Sequence, residues 1–210
     1  MKFSKLFITG CDKNTEWMLP WFIDNFKKHT DLPLMICDFG MTPELANSVD
    51  AVPIKSQDHG WFKKPLAMIT ASKKATSVCW LDTDCHIKSN IDKIFDYIEP
   101  NKLTMAIDEP WTKRRNETWH NSGVVAFTHI PNILNEWATA IALNPLEGDQ
   151  QVLHMLVRDS MRRMIHITDL PKKYNTLRLD LLDNTAPKDI SIMHWTGQKG
   201  KEEIRRMINA

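Results

Sequence analysis

Short apolar runs alternate with longer amphipathic stretches from the N-terminus onward, and strand then helix in repetition specifies an α/β fold with a mostly parallel sheet flanked by helices. The runs predict strands over Leu6–Thr9, Leu34–Asp38, Ala51–Ile54, Val78–Leu81, Leu103–Ile107, Gly123–Phe127, Met164–Ile167 and Ile190–His194. The amphipathic stretches predict helices over Thr15–Lys28, Trp61–Lys74, Asn90–Ile98, Pro131–Leu143, Asp149–Arg158 and Lys201–Ile208. Thr15 and Asn90 read as N-caps and Pro131 as a first helical residue. The polar stretches Trp111–Trp119 and Pro171–Lys188 read as long loops, which in compact domains are often functional. No repeat or linker interrupts the 210 residues, so 1–210 reads as a single domain, large enough to fold without disulfides or a structural metal.

Composition narrows the partners. A formal net charge of +1 gives no pull toward nucleic acid or acidic lipid. No apolar run approaches the ~18 residues of a membrane span. The opening MKFSKLFITG has no small-residue cleavage site and reads as a first strand, which makes the cytoplasm the expected compartment. The four cysteines, Cys11, Cys37, Cys79 and Cys85, form no CxxC pair and have no His at zinc-finger spacing, so they read as buried reduced thiols. Glycine is used sparingly, seven in all, which points to positions where backbone geometry or close approach demands it; Gly123 sits at the mouth of a predicted strand.

The sharpest chemical signal is Ser77-Val-Cys-Trp-Leu-Asp-Thr-Asp-Cys-His-Ile, where an apolar run ends abruptly in Asp82-Thr83-Asp84. Residues i and i+2 of an extended chain point the same way, so both carboxylates converge. The carboxyl end of a parallel strand is where open α/β sheets bind ligands. Two carboxylates this close need a proton or a cation between them, and Mg²⁺ or Mn²⁺ commonly bridges protein carboxylates to a diphosphate. Alone, D-x-D is also a polar turn capping a strand. It also occurs in haloacid-dehalogenase-type phosphatases, where Asp82 would be the nucleophile; that motif expects Thr or Val where this chain has His86, and it normally opens the chain.

Other segments give the triplet a context. They are Phe7-Ile-Thr-Gly-Cys-Asp, Met35-Ile-Cys-Asp-Phe-Gly-Met, Trp61-Phe-Lys-Lys-Pro-Leu-Ala-Met, Ile91-Asp-Lys-Ile-Phe, His120-Asn-Ser-Gly-Val-Val-Ala-Phe, Glu147-Gly-Asp-Gln-Gln-Val-Leu-His and His194-Trp-Thr-Gly-Gln-Lys-Gly-Lys. In this order, with the triplet in the middle, they resemble the glycosyltransferases of the GT-A fold, which use nucleotide sugars and a D-x-D-bound metal. The closest likeness is to the retaining glycogenin-like and galactosyltransferase-like group. Two positions depart from that pattern. Gly200 stands where the terminal H-x-x-G-x-x-K has its lysine, flanked by Lys199 and Lys201, and Gln151 stands where the family's D-Q-D has its second Asp.

The resemblance implies a single Rossmann-like GT-A domain and a metal-dependent transferase. It would move a hexose or 6-deoxyhexose from a nucleotide-diphosphate sugar, UDP-linked by family habit, to a hydroxyl of a glycan or other acceptor, with retention. It implies Mn²⁺ or Mg²⁺ held by Asp84 and His194, with Asp82 on the metal or the ribose hydroxyls. Neutral His194 would be the metal-binding form, so affinity falls as pH drops through its pKa. Gly197 with Lys199 or Lys201, and Lys64 with Lys63 as its rival, would meet the diphosphate. Thr9 and Asp12 would contact nucleobase and ribose, and Asn121 and Asp149 would face the donor sugar. Asp149 or Gln150 would stabilise or attack the anomeric carbon. In an inverting enzyme, Asp149 or Glu147 would instead be the general base. Trp111 and Trp119 are candidates for an acceptor platform. A module that kept the fold and lost turnover is the non-enzymatic alternative.

Overall fold

The computed structural model describes residues 2–144 and 146–210. Its strands are β1 (Phe3–Cys11), β2 (Leu34–Asp38), β3 (Val52–Pro53), β4 (Ala75–Leu81), β5 (Cys85–Ile87), β6 (Leu103–Ile107), β7 (His120–Thr128), β8 (Ile167–Asp169), β9 (Thr176–Leu177) and β10 (Ile192–His194). Its helices are α1 (Leu19–Lys27), α2 (Pro43–Ser48), α3 (Lys64–Ser72), α4 (Glu109–Arg115), α5 (Asn132–Leu143), α6 (Asp149–Val157), α7 (Ser160–His166), α8 (Arg178–Leu182) and α9 (Gly197–Ile208).

The central strands are apolar on both faces because both faces are covered. Leu6, Ile8, Val78, Trp80, Val125 and Phe127 pack on one side against residues of α3, α5 and α6. The intervening Phe7, Cys79, Leu81, Val124 and Ala126 pack on the other side with Phe22 and Phe26 of α1 and with Ile91, Ile94 and Phe95. Period-two alternation thus feeds two cores, which is why these strands read as continuous apolar runs. The order in the sheet is β3-β2-β1-β4-β7-β6-β8. β7 pairs antiparallel with β4 and β6, and the remaining pairs are parallel, so β7 alone is reversed. Pro53 sits in the edge strand β3, where a missing N–H costs nothing.

This topology assembles a site. Parallel pairing of β1 with β4 brings Asp12 and Asp82 to the same sheet margin. The reversed β7, with Val124 opposite Leu81, starts where β4 ends and sets Asn121–Gly123 beside the acidic turn. Ile107 lies opposite His120, so Asp108 follows at the same margin. A small second sheet, β5-β10-β9, places His194 opposite Cys85, next to Asp84.

Local chemistry explains where the structure departs from the periodicity. Met164–Ile167 is not a strand: Asp159 caps a helix by accepting from the Met161 and Arg162 amides, and extended chain begins only at Ile167. Trp111–Trp119 is not all loop, because Asp108 caps α4 by accepting from the Trp111 amide, and left-handed Asn116 (φ 54°) closes it. Pro171–Lys188 contains β9 and α8. Asp92–Tyr97 is a 3-10 helix within the expected Asn90–Ile98 helix. Thr15 sits at the N-cap of the 3-10 turn Glu16–Met18 but makes no side-chain cap; its hydroxyl donates to Asp12 Oδ1 at 2.7 Å, and α1 begins only at Leu19. Pro131 sits one residue before α5, as its N-cap. The last helix starts at Gly197, ahead of the expected Lys201. Among the described residues no helix is long and apolar enough to cross a membrane.

All four cysteines are free and buried. Burial pushes the Cys11 and Cys37 thiols up to about 12, and those of Cys79 and Cys85 well above the ordinary value. Because the thiolate is the nucleophile, native protein should take up no maleimide at neutral pH, whereas denatured protein should take up four equivalents. Mass spectrometry reads the difference, and native labelling of any cysteine would contradict the packing.

Candidate active site

The strand ends converge on an open cleft of about 200 Å³, lined by Gly10, Asp12, Trp80, Asp82, Asp84 and Lys201. Its position, between the parallel neighbours β1 and β4 whose connections leave in opposite directions, is the switch point where open α/β sheets bind ligands.

At the acidic turn the Cys85 amide donates to the Asp82 carbonyl at 3.0 Å, and the Trp195 amide donates to the Asp84 carbonyl at 3.0 Å. These bonds hold His194 over the turn, with Nε2 at 3.0 Å from Asp84 Oδ1 and 3.7 Å from Asp82 Oδ2. Gly123 permits the approach, since a Cβ there would overlap the His194 ring. Burial would lower the imidazole pKa, but the charges of Asp84 and then Asp82 outweigh it and hold it above its ordinary value. Against its own burial, Asp84 is held below the usual carboxylate range by His194. Asp84, Cys85 and His194 bring donor atoms within 4.8 Å of one another. Burial keeps the Cys85 thiol protonated, which leaves oxygen and imidazole donors, a set that suits Mg²⁺ or Mn²⁺.

Lys64 opens α3 beneath this turn and is only 2% exposed. Its Nζ lies 3.0 Å from Asp82 Oδ1 and 2.9 Å from Asp149 Oδ2, and donates to the Ser122 carbonyl at 3.1 Å. Burial disfavours the ammonium, but Asp149 and Asp82 overcome that and raise its pKa. The Trp80 indole donates to the same Asp82 Oδ1 at 2.6 Å. Two carboxylates therefore share one ammonium, and with Asp84 the site holds three carboxylates against Lys64 whenever His194 is neutral, a surplus that a bound divalent cation would offset.

The neighbouring wall is amide-rich. Asn121 Nδ2 donates to Asp108 Oδ2 at 3.2 Å and to Gln150 Oε1 at 3.0 Å, while Gln150 Nε2 donates to Asp108 Oδ2 at 3.1 Å. Asp149, at the start of α6, accepts from the Ser122 hydroxyl at 2.9 Å. Asp82, Asp84, His194, Asn121, Asp149, Gln150 and Gly197 therefore border one space.

Some expected residues stand elsewhere. Thr9 is fully buried in β1 and does not reach the cleft, because the strand runs on and Gly10, Cys11 and Asp12 form its wall; the contact expected of Thr9 is corrected accordingly. Lys64 has its ammonium engaged by protein carboxylates, and Lys63 donates to the Phe39 carbonyl at 3.3 Å. Of the two C-terminal lysines, Lys201 lines the cleft, and its charge helps lower the Asp84 pKa, whereas Lys199 is exposed on α9. Gly200, where the family pattern has lysine, must be small because a Cβ would strike the Trp195 carbonyl. Trp119 stacks on His154 with ring centres 3.7 Å apart, and Arg115 covers Trp111 at 5.0 Å. Asp108, Ser122 and Asn175 belong to the site and were not singled out from sequence. Asp108 had a readable signal, an acidic residue ending the apolar run Leu103–Ile107, whereas Asn175 lay in an apparent loop with none.

No family model matches the chain, and no curated protein matches its sequence. Solved structures do match its architecture. A galactosyltransferase, LgtC, in complex with donor and acceptor sugar analogs superposes with a TM-score of 0.65 at 12% identity, over 97% of this chain and 94% of that one. The fold is GT-A. A glycosyltransferase involved in glycosylation of the major capsid of PBCV-1 gives 0.67 at 13% identity, over 98% and 99% of the two chains. The glycosyltransferase GlyE of Streptococcus pneumoniae TIGR4, in its apo form, gives 0.65 at 14%, over 94% of this chain and 55% of that one.

The His194–Asp84 pair sets a pH dependence in the metal-free protein. The raised His194 pKa contributes stability that is complete below about 6.5 and is lost as pH climbs through the folded value. The lowered Asp84 pKa contributes stability present above about 3.9 and lost as pH falls through its folded value. A cation at Nε2 needs the neutral ring, so it competes with that proton. Melting curves from about pH 6 to 9 should show the metal-free Tm dropping with pH, and the Tm gain from Mn²⁺ growing with it. A gain that does not change with pH would exclude His194 as a ligand.

Proposed function

We propose that this chain is a metal-dependent glycosyltransferase that moves a hexose or 6-deoxyhexose from a UDP-linked sugar to a hydroxyl acceptor with retention. The observation that carries the reading is the meeting of His194, from the C-terminal part of the chain, with Asp84 at 3.0 Å at the switch point of a GT-A sheet. The names of the structural neighbours, donor- and acceptor-bound galactosyltransferase among them, support the same class.

Asp84 and His194 would hold the cation, with Asp82 completing the acidic side or turning to the ribose. Bound there, Mn²⁺ or Mg²⁺ would offset the charge that develops on the departing diphosphate. Lys201 and the N-terminus of α9 at Gly197 add positive potential on the same side. Asp12 and Gly10 form the wall left for the nucleoside. Asn121 and Gln150, held from behind by Asp108, present amide groups suited to sugar hydroxyls, and Asp149 would stand where positive charge grows at the anomeric carbon. Retention is supported by the bonds Asp149 already makes. Its Oδ2 is shared by the Lys64 ammonium and the Ser122 hydroxyl, an arrangement suited to electrostatic stabilisation and poor for taking a proton from an acceptor. A phosphatase with Asp82 as nucleophile fits less well, since Lys64 and the Trp80 indole both engage Asp82 Oδ1.

A thermal-shift panel of nucleotide sugars with and without Mn²⁺ tests the reading directly. A UDP-sugar should raise Tm only with metal, and the same donor should release nucleoside diphosphate. Stabilisation without release would favour the binding module, and metal-dependent hydrolysis of p-nitrophenyl phosphate would favour the phosphatase. Asp84→Ala should abolish Mn²⁺-dependent donor hydrolysis while circular dichroism stays native; unchanged turnover would remove Asp84 from the site. Asp149→Asn should lower kcat by about a hundredfold or more with a smaller change in donor KM. A rise in KM alone would contradict its place at the anomeric centre.

A further inference from the structure

Asn175 does not line the cleft, yet it is 1% exposed and lies between Asn121 and His194, which do. It precedes β9, which pairs in parallel with β10 and so runs alongside His194. Its Nδ2 donates to Asn121 Oδ1 at 2.9 Å. That bond fixes which end of the amide faces the other way, and Oδ1 lies 3.0 Å from His194 Nδ1. An amide oxygen only accepts, so Nδ1 carries a proton in either charge state, and in the neutral ring the lone pair is on Nε2, which faces the acidic turn. Asn121 cannot easily turn, because its Oδ1 also accepts from the Gly123 amide at 2.9 Å and its Nδ2 is held by Asp108 and Gln150.

We infer that Asn175 is a positioning residue that selects the Nδ1–H tautomer of His194 for cation binding and couples that imidazole, through Asn121, to the Asp108–Gln150 wall beside the sugar. This rests on the metal-dependent reading and extends it to a residue outside the cleft. A hydrogen-bond partner on the far nitrogen of a metal-binding imidazole sets both its tautomer and its orientation, and losing such a partner commonly weakens metal affinity about 10–100-fold. The chain of amides also makes each end sensitive to the other, since rotating Asn121 would release Asn175 and with it the ring.

The test uses the whole chain and Mn²⁺ alone, titrated by calorimetry. Asn175→Ala should weaken Mn²⁺ binding by about tenfold or more. Asn175→Asp, which keeps an oxygen for Nδ1–H but cannot donate to Asn121, should bind Mn²⁺ more tightly than Asn175→Ala. Asn121→Ala should weaken Mn²⁺ binding in the wild-type background and add no further loss to Asn175→Ala, a non-additivity that packing damage alone would not produce. Nitrogen-15 spectra of the Mg²⁺-loaded protein should place the His194 proton on Nδ1 in wild type and Asn175→Asp. Wild-type Mn²⁺ binding with equal affinity in Asn175→Ala would overturn this inference and leave the metal site standing, whereas a wild type that binds no Mn²⁺ would remove both. Should Asn175→Ala fail to fold, Asn175→Asp decides: a proton on Nδ1 upholds the inference and a proton on Nε2 overturns it.

Discussion

A single buried ammonium organises this molecule. Lys64 reaches from the first turn of α3 to Asp82 at the end of β4, Asp149 at the start of α6 and the backbone of Ser122 in β7. Taking that charge out of water costs several kcal/mol unless it is closely paired. The pairing therefore requires four elements to keep a fixed separation. The same requirement leaves the two sides of the cleft, acidic turn and amide-rich wall, locked to one frame, with Asp82 and Asp149 as its opposite ends.

That frame has more negative charge than Lys64 can answer. Asp84 finds its partner in His194, brought by the small second sheet, and Gly123 supplies the clearance the ring needs. A site with surplus carboxylates, one imidazole with its far nitrogen already bonded, and a helix N-terminus and lysine nearby is arranged for a cation and an anion together. A metal-bridged diphosphate combines the two, and this is the physical basis of the proposed transferase reading. The structure divides labour accordingly. Residues at the acidic turn deal with charge, and residues on the β7–α6 side, Asn121, Asp149 and Gln150, deal with hydroxyls and the reacting carbon.

The elements differed in how legible they were. Strands β1, β2, β4, β6 and β7 were plain because burial on both faces writes an unbroken apolar run. The helix α7 was misread as strand because Met164-Ile165-His166-Ile167 is apolar in composition, while its helical state is set by a cap at Asp159 and its apolar side chains Met164 and Ile165 stay exposed. Trp111–Trp119 read as loop because its polar composition hides a short helix whose stability comes from the Asp108 cap. Thr9 is buried because β1 runs on to Cys11, so the residues at the strand's end, Gly10, Cys11 and Asp12, form the cleft wall instead.

Asp82 and Asp84 are legible from local pattern, where an apolar run breaks into acidic residues, whereas Asn121, Asp149, Gln150 and His194 are named through the resemblance of the motifs around them. Which of them meet was not nameable. The Asp84–His194 contact, the diversion of Lys64 to internal ion pairing, the choice of Lys201 over Lys199 and the insertion of Asn175 behind the imidazole arise from strand pairing and helix packing between distant segments. Periodicity records how a segment meets the core. It holds no record of which distant side chain will face it, and that is settled only when the sheet order and register bring two chain ends together.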